Sequence, residues 1–133
     1  MKATDLMIGD WVCLKDDTKC EFPLKVDGVL TDDISLEGEG FLGGAEGLIR
    51  PIPITTEILE KNGFIKVNSQ RYDYGYPDTD CYVKVNPKKN MIHVNGRNAN
   101  SNLYSHSFVH ELQRALRLCG LDELADNFKV YEE

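Results

Sequence analysis

Two stretches of this chain carry the periodicity of an amphipathic helix, and each one ends at a glycine. In TTEILEKNGF, Thr55 is a favoured N-cap and Gly63 can take the left-handed position after the last turn. SFVHELQRALRLCG repeats this arrangement, with Ser107 as the expected cap and Gly120 as the expected final glycine. Most of the remaining chain consists of short apolar runs between turn residues, which predicts short β-strands.

The second helix, expected over residues 107–119, has one apolar stripe and one polar side. The stripe consists of Val109, Leu112, Leu116 and Cys119, widened by Phe108 and Ala115. The residues expected mainly on the solvated side are His110, Glu111, Arg114 and Arg117. This pattern predicts a helix that packs against a core through one face.

Residues 1–54 read as a small β-barrel or a curled antiparallel sheet, because short apolar runs alternate with Gly and Asp turns. A strand led by Trp11 opens this part, and LIRPIPI closes it as an edge strand or an extended connector, since Pro51 and Pro53 lack an N–H.

Residues 55–133 add the two helices, a strand at FIKV and a hairpin. The hairpin joins Tyr82–Val85 to Met91–Val94, and DELADNFKVYEE adds a helical turn and a final short strand. The predicted fold is therefore α+β, with a β-module over 1–54 and an α+β part over 55–133 that together could form one continuous domain.

The charge of the chain is negative and unevenly distributed. The net charge is −7, and residues 1–54 hold five Lys and Arg against eleven Asp and Glu, a balance of −6. Nucleic-acid binding depends on Lys and Arg that displace phosphate counterions, so nucleic acid and anionic lipid are not expected partners.

Nothing in the chain predicts a membrane protein or a secreted one. No apolar run approaches the roughly 20 residues of a membrane span, and MKATDLMIGDWV lacks the apolar core of a secretory signal. The expected location is the cytoplasm.

The four cysteines are Cys13, Cys20, Cys81 and Cys119. They form no C-x-x-C pair, which disfavours a structural zinc site, and free thiols are expected in a reducing compartment. We expect no cofactor.

Two clusters keep a metal-dependent hydrolase open as an alternative function. The helix carries H-E-x-x-R at 110–114, so Arg114 replaces the second His of the zinc-protease motif and places a fixed charge where the metal would bind. His106 and His110 have helical spacing beside Glu111, but His106 precedes the expected helix start. Asp78 and Asp80 form a lone D-x-D, which is more typical of a turn after Pro77.

The segment RYDYGYPDTDCY predicts a binding surface. Tyr72, Tyr74 and Tyr76 alternate and would share one face of a strand, and Trp11 is expected nearby as a further binding residue. Exposed tyrosines combine an apolar body with a polar tip, which is typical of recognition surfaces. The alternative interpretation is a half-buried strand whose inner face is aromatic.

Three segments, IGDWV, IRPIPITTEILEKNGF and VHELQRALRLCG, resemble a family of small uncharacterised proteins of gut Bacteroidales and their phages and mobile elements. The resemblance covers both ends and the middle helix, and it implies no assigned activity. Relatives often carry His at the position of Arg114, and this departure weakens a metal role. The IGDWV opening also resembles SH3-like barrels, which implies that fold for residues 1–54.

Taken together, these patterns predict a small cytoplasmic binding or accessory protein rather than an enzyme, and the resemblance implies that a phage or another mobile element carries it. The expected partner is a protein or a small ligand. No Walker, Rossmann or G-x-S-x-G motif occurs in the sequence.

Overall fold

The structure is a computed structural model, and the chain divides into two compact units, Met1–Ile52 and Pro53–Glu133. The residues that the structure describes are 6–17, 22–30, 33–38, 40–42, 49–68, 71–75, 82–89, 91–95, 100–104 and 108–130. Within them the fold is α+β, as predicted, with two antiparallel sheets and few helices, and one sheet is a curled half-barrel.

The described part of the first unit is an antiparallel sheet of five strands. The strands are β1 (Trp11–Leu14), β2 (Leu24–Val29), β3 (Ile34–Leu36), β4 (Gly40–Leu42) and β5 (Ile49–Arg50). Their order across the sheet is β4-β3-β2-β1-β5, so β5 returns beside the first strand and forms an edge. The edge position explains why Pro51 can follow directly after β5.

Alternating residues of these strands build the core of the first unit. Its buried members are Leu6, Val12, Val26, Ile34, Leu36 and Ile49. A β-bulge interrupts the pairing of β2 with β3 between Val26 and Gly28, and such a bulge bends the strand that carries it.

The turn before β1 is fixed by Gly9 and Asp10. Gly9 has φ of 98°, a conformation that favours glycine, and its N–H donates to the carbonyl of Val26 at 2.8 Å. The buried Asp10 carboxylate accepts from the N–H of Met7 at 2.8 Å. These bonds fix the chain as it enters β1, where Trp11 is buried and Lys25 Nζ lies 6.0 Å from its ring.

The second unit combines an antiparallel sheet with short helices. Its elements are α1 (Thr56–Lys61), β6 (Ile65–Asn68), β7 (Arg71–Gly75), β8 (Tyr82–Asn86), β9 (Met91–Asn95), β10 (Asn100–Tyr104), α2 (Val109–Leu118) and α3 (Asp122–Asp126). The strand order is β10-β9-β8-β7-β6, so each strand pairs with its neighbour in sequence. The predicted hairpin is confirmed as β8 and β9, joined through a 3₁₀ turn at Pro87–Lys89.

Both helix C-termini form as the glycines predict. At the end of α1, Gly63 has φ of 84°, and the N–H of Phe64 donates to the carbonyl of Leu59 at 3.0 Å. At the end of α2, Gly120 has φ of 83°, and the N–H of Leu121 donates to the carbonyl of Leu116 at 2.8 Å. Each pair of features is a Schellman ending.

The helix N-termini differ from each other. Thr55 caps α1 as predicted, and its hydroxyl accepts from the N–H of Ile58 at 3.2 Å. Helix α2 begins one residue later than a Ser107 cap would give, with Phe108 at the N-cap and no side-chain cap bond. Ser107 itself lies outside the described residues.

The sheet of the second unit has one face that packs into the core, which we call the inner face. Its side chains are Tyr72, Tyr74, Val83, Val85, Ile92 and Val94. Helix α2 contacts β9 and buries its predicted apolar stripe, with Leu112 and Leu116 fully buried. The prediction that His110 lies on the solvated side is wrong, because it is buried and its ring stacks on Phe108 with the centroids 6.2 Å apart.

Residues 128–130 follow α3 without strand structure, so the expected final strand is not found among them. Buried Asn62 fixes this segment. Its side-chain oxygen accepts from the N–H of Lys129 at 2.8 Å, and its amide nitrogen donates to the carbonyl of Lys129 at 2.8 Å. One side chain thereby holds the segment after α3 against the end of α1.

The cysteines depart from the expectation of four free thiols. Cys13 is disulfide-bonded, and the second sulfur of that bond lies outside the described residues. Cys119 is free and buried, as predicted for a small core residue, and its thiol donates to the carbonyl of Tyr82 at 3.6 Å.

Among the described helices, none combines the length and the apolar character that crossing a bilayer requires.

Candidate functional site

The structure places the predicted tyrosine surface mostly on the inner face of the second sheet. Tyr72 is only 4% exposed, and Tyr74 is half-buried with its ring centroid 5.4 Å from that of Phe64. Tyr76 lies outside the described residues, and Trp11 belongs to the first unit. Tyr72 and Tyr74 do share one strand face, but Tyr72 is not an exposed anchor, and partner binding by these residues stays a prediction.

Pairing between strands explains why the tyrosines point inward. Tyr72 lies opposite Val85, and Tyr74 lies opposite Val83. Opposite residues of an antiparallel pair have side chains on the same face. Both valines are fully buried, so the tyrosine side chains lie on the face of the sheet that is buried.

The residues that alternate with the inner-face residues along the same strands form the opposite side of the sheet, which we call the outer face. Its described side chains are Arg71, Asp73, Tyr82, Lys84, Asn86, Met91 and His93. In the strand register, Asp73 lies opposite Lys84, and Lys84 lies opposite His93. These three residues therefore form a row across β7, β8 and β9. The outer face is therefore the polar side of this sheet.

Arg71 and Asp73 form a two-pronged ion pair along β7. Nε and Nη2 of Arg71 donate to Oδ1 and Oδ2 of Asp73, both at 3.0 Å. The Asp73 side chain is 10% exposed and that of Arg71 is 38% exposed. This parallel geometry orients the guanidinium better than a single contact does.

Lys84, Tyr82 and His93 form a second group on the outer face. Lys84 Nζ lies 5.0 Å from the centroid of the Tyr82 ring, within the range of a cation–π contact. The rings of Tyr82 and His93 have centroids 6.1 Å apart and are tilted by 38°. These contacts bring a cation, a phenol and an imidazole together on neighbouring strands.

A pocket of about 280 Å³ opens on this side of the sheet. Its lining among the described residues consists of five outer-face residues and of Val85, whose side chain lies on the inner face; the five are Arg71, Lys84, Asn86, Met91 and His93. Binding pockets combine apolar contact area with a few polar groups that fix orientation, and this lining offers both. Its volume lies at the lower end of the range for ligand pockets, which fits a small molecule rather than a large cofactor.

The clusters considered for a metal-dependent hydrolase are only partly described. His110 is buried in the first turn of α2, and the neighbouring Glu111 is half-buried. His106, Asp78 and Asp80 lie outside the described residues. Within the described part of the chain, no three His, Cys, Asp or Glu side chains come close enough together to hold a metal ion.

The pocket residues did not stand out in the sequence, although one pattern pointed to them. In YVKVN and MIHV, valine and isoleucine alternate with Lys84 and His93, which assigns the cation and the imidazole to the non-core face. Extending that alternation to RYDYG requires the pairing of Tyr72 with Val85, which only the structure supplies.

Comparison with known proteins gives no relative for this chain: no family model, curated protein or solved structure matches it.

Proposed function

We propose that this protein is a small, non-enzymatic binding protein that holds a small ligand on the outer face of its second sheet. The observation that carries the proposal is the pocket of about 280 Å³, lined by two cations, an amide and an imidazole. These groups suit the holding and orienting of a ligand, because the guanidinium of Arg71 is already positioned by Asp73.

The site is suited to a ligand with polar groups rather than to nucleic acid. The chain carries a net charge of −7, which repels a polyphosphate backbone over most of the surface. A small ligand meets only the local field of the pocket, so the overall charge does not exclude it.

For the first unit we propose an SH3-like barrel with an accessory role. The strand order β4-β3-β2-β1-β5 supports this fold, because a four-strand meander whose fifth strand returns beside the first is the arrangement of such barrels. The resemblance of IGDWV and of the two helices to proteins of Bacteroidales and their phages supports an origin in a mobile element. Fold alone assigns no activity to this unit.

We propose the cytoplasm as the location, and the disulfide at Cys13 makes this testable, since disulfides rarely persist in reducing compartments. If producing cells are lysed directly into denaturant that contains an alkylating reagent, the buried thiols become accessible, and all four cysteines should carry the reagent when the cytoplasm is reducing. Mass spectrometry of the denatured protein counts them. A result of two modified cysteines would instead mean that the bond persists and would contradict the proposed location.

Binding at the outer face predicts a localised response to small fragments. A mixed set of neutral, anionic and cationic fragments should shift the backbone amides of Arg71, Lys84, Asn86, Met91 and His93 in a saturable way. Two-dimensional ¹H–¹⁵N NMR of the full chain measures this, because it detects the weak binding expected of fragments.

Two matched variants locate the response. His93→Trp places a larger ring in the pocket and should abolish the saturable shifts, whereas Arg114→Trp adds the same ring on the exposed side of α2 and should not. Urea melts verify that both variants fold. Shifts that persist in His93→Trp, or that lie mainly in the first unit, would show that the outer face is not the binding site.

A further inference from the structure

We infer that the ligand of the outer-face pocket is a small organic anion, with one carboxylate or phosphate group on a compact apolar body. This inference rests on the proposed function and adds the chemical class of the ligand. The acidic group would lie between Lys84 and Arg71, and the apolar body would lie against Met91 and the imidazole of His93.

The charge of the lining is the first argument. The whole chain contains 22 acidic residues against 15 basic ones, yet the described lining of this pocket contains Arg71 and Lys84 and no carboxylate. With Asp73 bonded to Arg71, these three groups carry a local charge of +1, which is opposite in sign to the net charge of the chain and favours an anion at that place.

The ion pair of Arg71 with Asp73 supports anion binding rather than opposing it. The two bonds to Asp73 use two of the five guanidinium N–H donors and fix the plane of the group. The other three donors are not used by that pair. Since Asp73 offsets the charge of Arg71, the permanent net charge that attracts a ligand comes from Lys84.

Lys84 is positioned by its surroundings as well. Its side chain is half-buried on the central strand β8, and its Nζ lies 5.0 Å from the Tyr82 ring. An ammonium over a ring keeps its N–H donors available in other directions, because the ring accepts through its face. A charged donor held in this way loses less conformational freedom when an anion binds.

The size of the pocket limits the apolar body. A volume of about 280 Å³ is enough for a ligand with a single ring and one acidic group. Met91 provides an adaptable thioether surface, and His93 provides a flat one. A small aromatic acid satisfies every one of these features.

Benzoate tests the inference with benzamide and benzylamine as controls of nearly equal shape. We expect benzoate, and phenyl phosphate likewise, to bind with a dissociation constant on the order of 1 mM, the range for so few atoms. Benzamide and benzylamine should bind at least about tenfold more weakly, since they lack the charge that Lys84 would pair with. NMR titration of the full chain at fixed pH and ionic strength measures all four.

Lys84→Gln should weaken benzoate binding about tenfold, whereas Lys129→Gln should leave it unchanged. The two variants change the net charge equally, and Lys129 is exposed and does not line the pocket. Benzamide or benzylamine saturating the same amides as tightly as benzoate would overturn the anion inference and leave the proposed function standing. If no compound shifts the outer-face amides, the proposed function and the inference both fail.

Discussion

Replacement of Tyr72 by alanine should lower the free energy of unfolding by about 3–5 kcal/mol, the cost of emptying an aromatic core site. Tyr72 is 4% exposed, lies opposite buried Val85 and faces the side of the sheet that the helices cover. The lost ring leaves a cavity that close-packed neighbours fill only in part, which adds to the lost transfer energy. Urea unfolding followed by far-ultraviolet circular dichroism measures the change.

Tyr82 is the matched control, because it is a half-buried tyrosine on the outer face of the same sheet. Tyr82→Ala should cost about 1 kcal/mol or less, since the ring loses mainly its contacts with Lys84 and His93. A larger loss for Tyr82→Ala than for Tyr72→Ala would mean that the inner and outer faces have been assigned the wrong way round. The binding site proposed on the outer face would then be wrong as well.

Local sequence patterns sufficed to predict most of the elements of this fold. Gly63 and Gly120 ended their helices because glycine takes positive φ at little cost, and this holds whatever packs nearby. The hairpin of β8 and β9 was predictable for a similar reason, since a strand alternation interrupted by NPKKN is a property of adjacent residues.

Patterns that depend on distant parts of the chain were not predictable. The alternation of residues defines two faces of β7 but does not say which face packs into the core. That choice decides whether Tyr72 or Asp73 lies on the core side. The sequence assigned His110 to the solvated side because its side chain is polar. Packing beside Phe108 at the first turn of α2 buries it instead. The pocket has the same origin, as Arg71, Lys84 and His93 meet only through the pairing of three strands.

Shortening either Leu112 or Leu116 to alanine should lower the free energy of unfolding by about 2–5 kcal/mol. Both side chains are fully buried on the face of α2 that packs into the core of the second unit. The same helix is also fixed by Gln113, whose buried amide donates to the carbonyl of Ala125 at 3.0 Å. A helix held at both an apolar stripe and a buried amide cannot easily shift to fill the cavity, which favours the upper part of the range.

Arg114→Ala provides the control within the same helix, because Arg114 is exposed. Its expected effect is within about 0.5 kcal/mol, since alanine is at least as good a helix former and little packing is lost. Urea melts of the three variants under one set of conditions give the comparison. A loss at Arg114 equal to that at Leu112 would show that this arginine has a structural role. Small losses at both leucines would mean that α2 does not pack through its apolar stripe, and the assignment of the inner face would lose its main support.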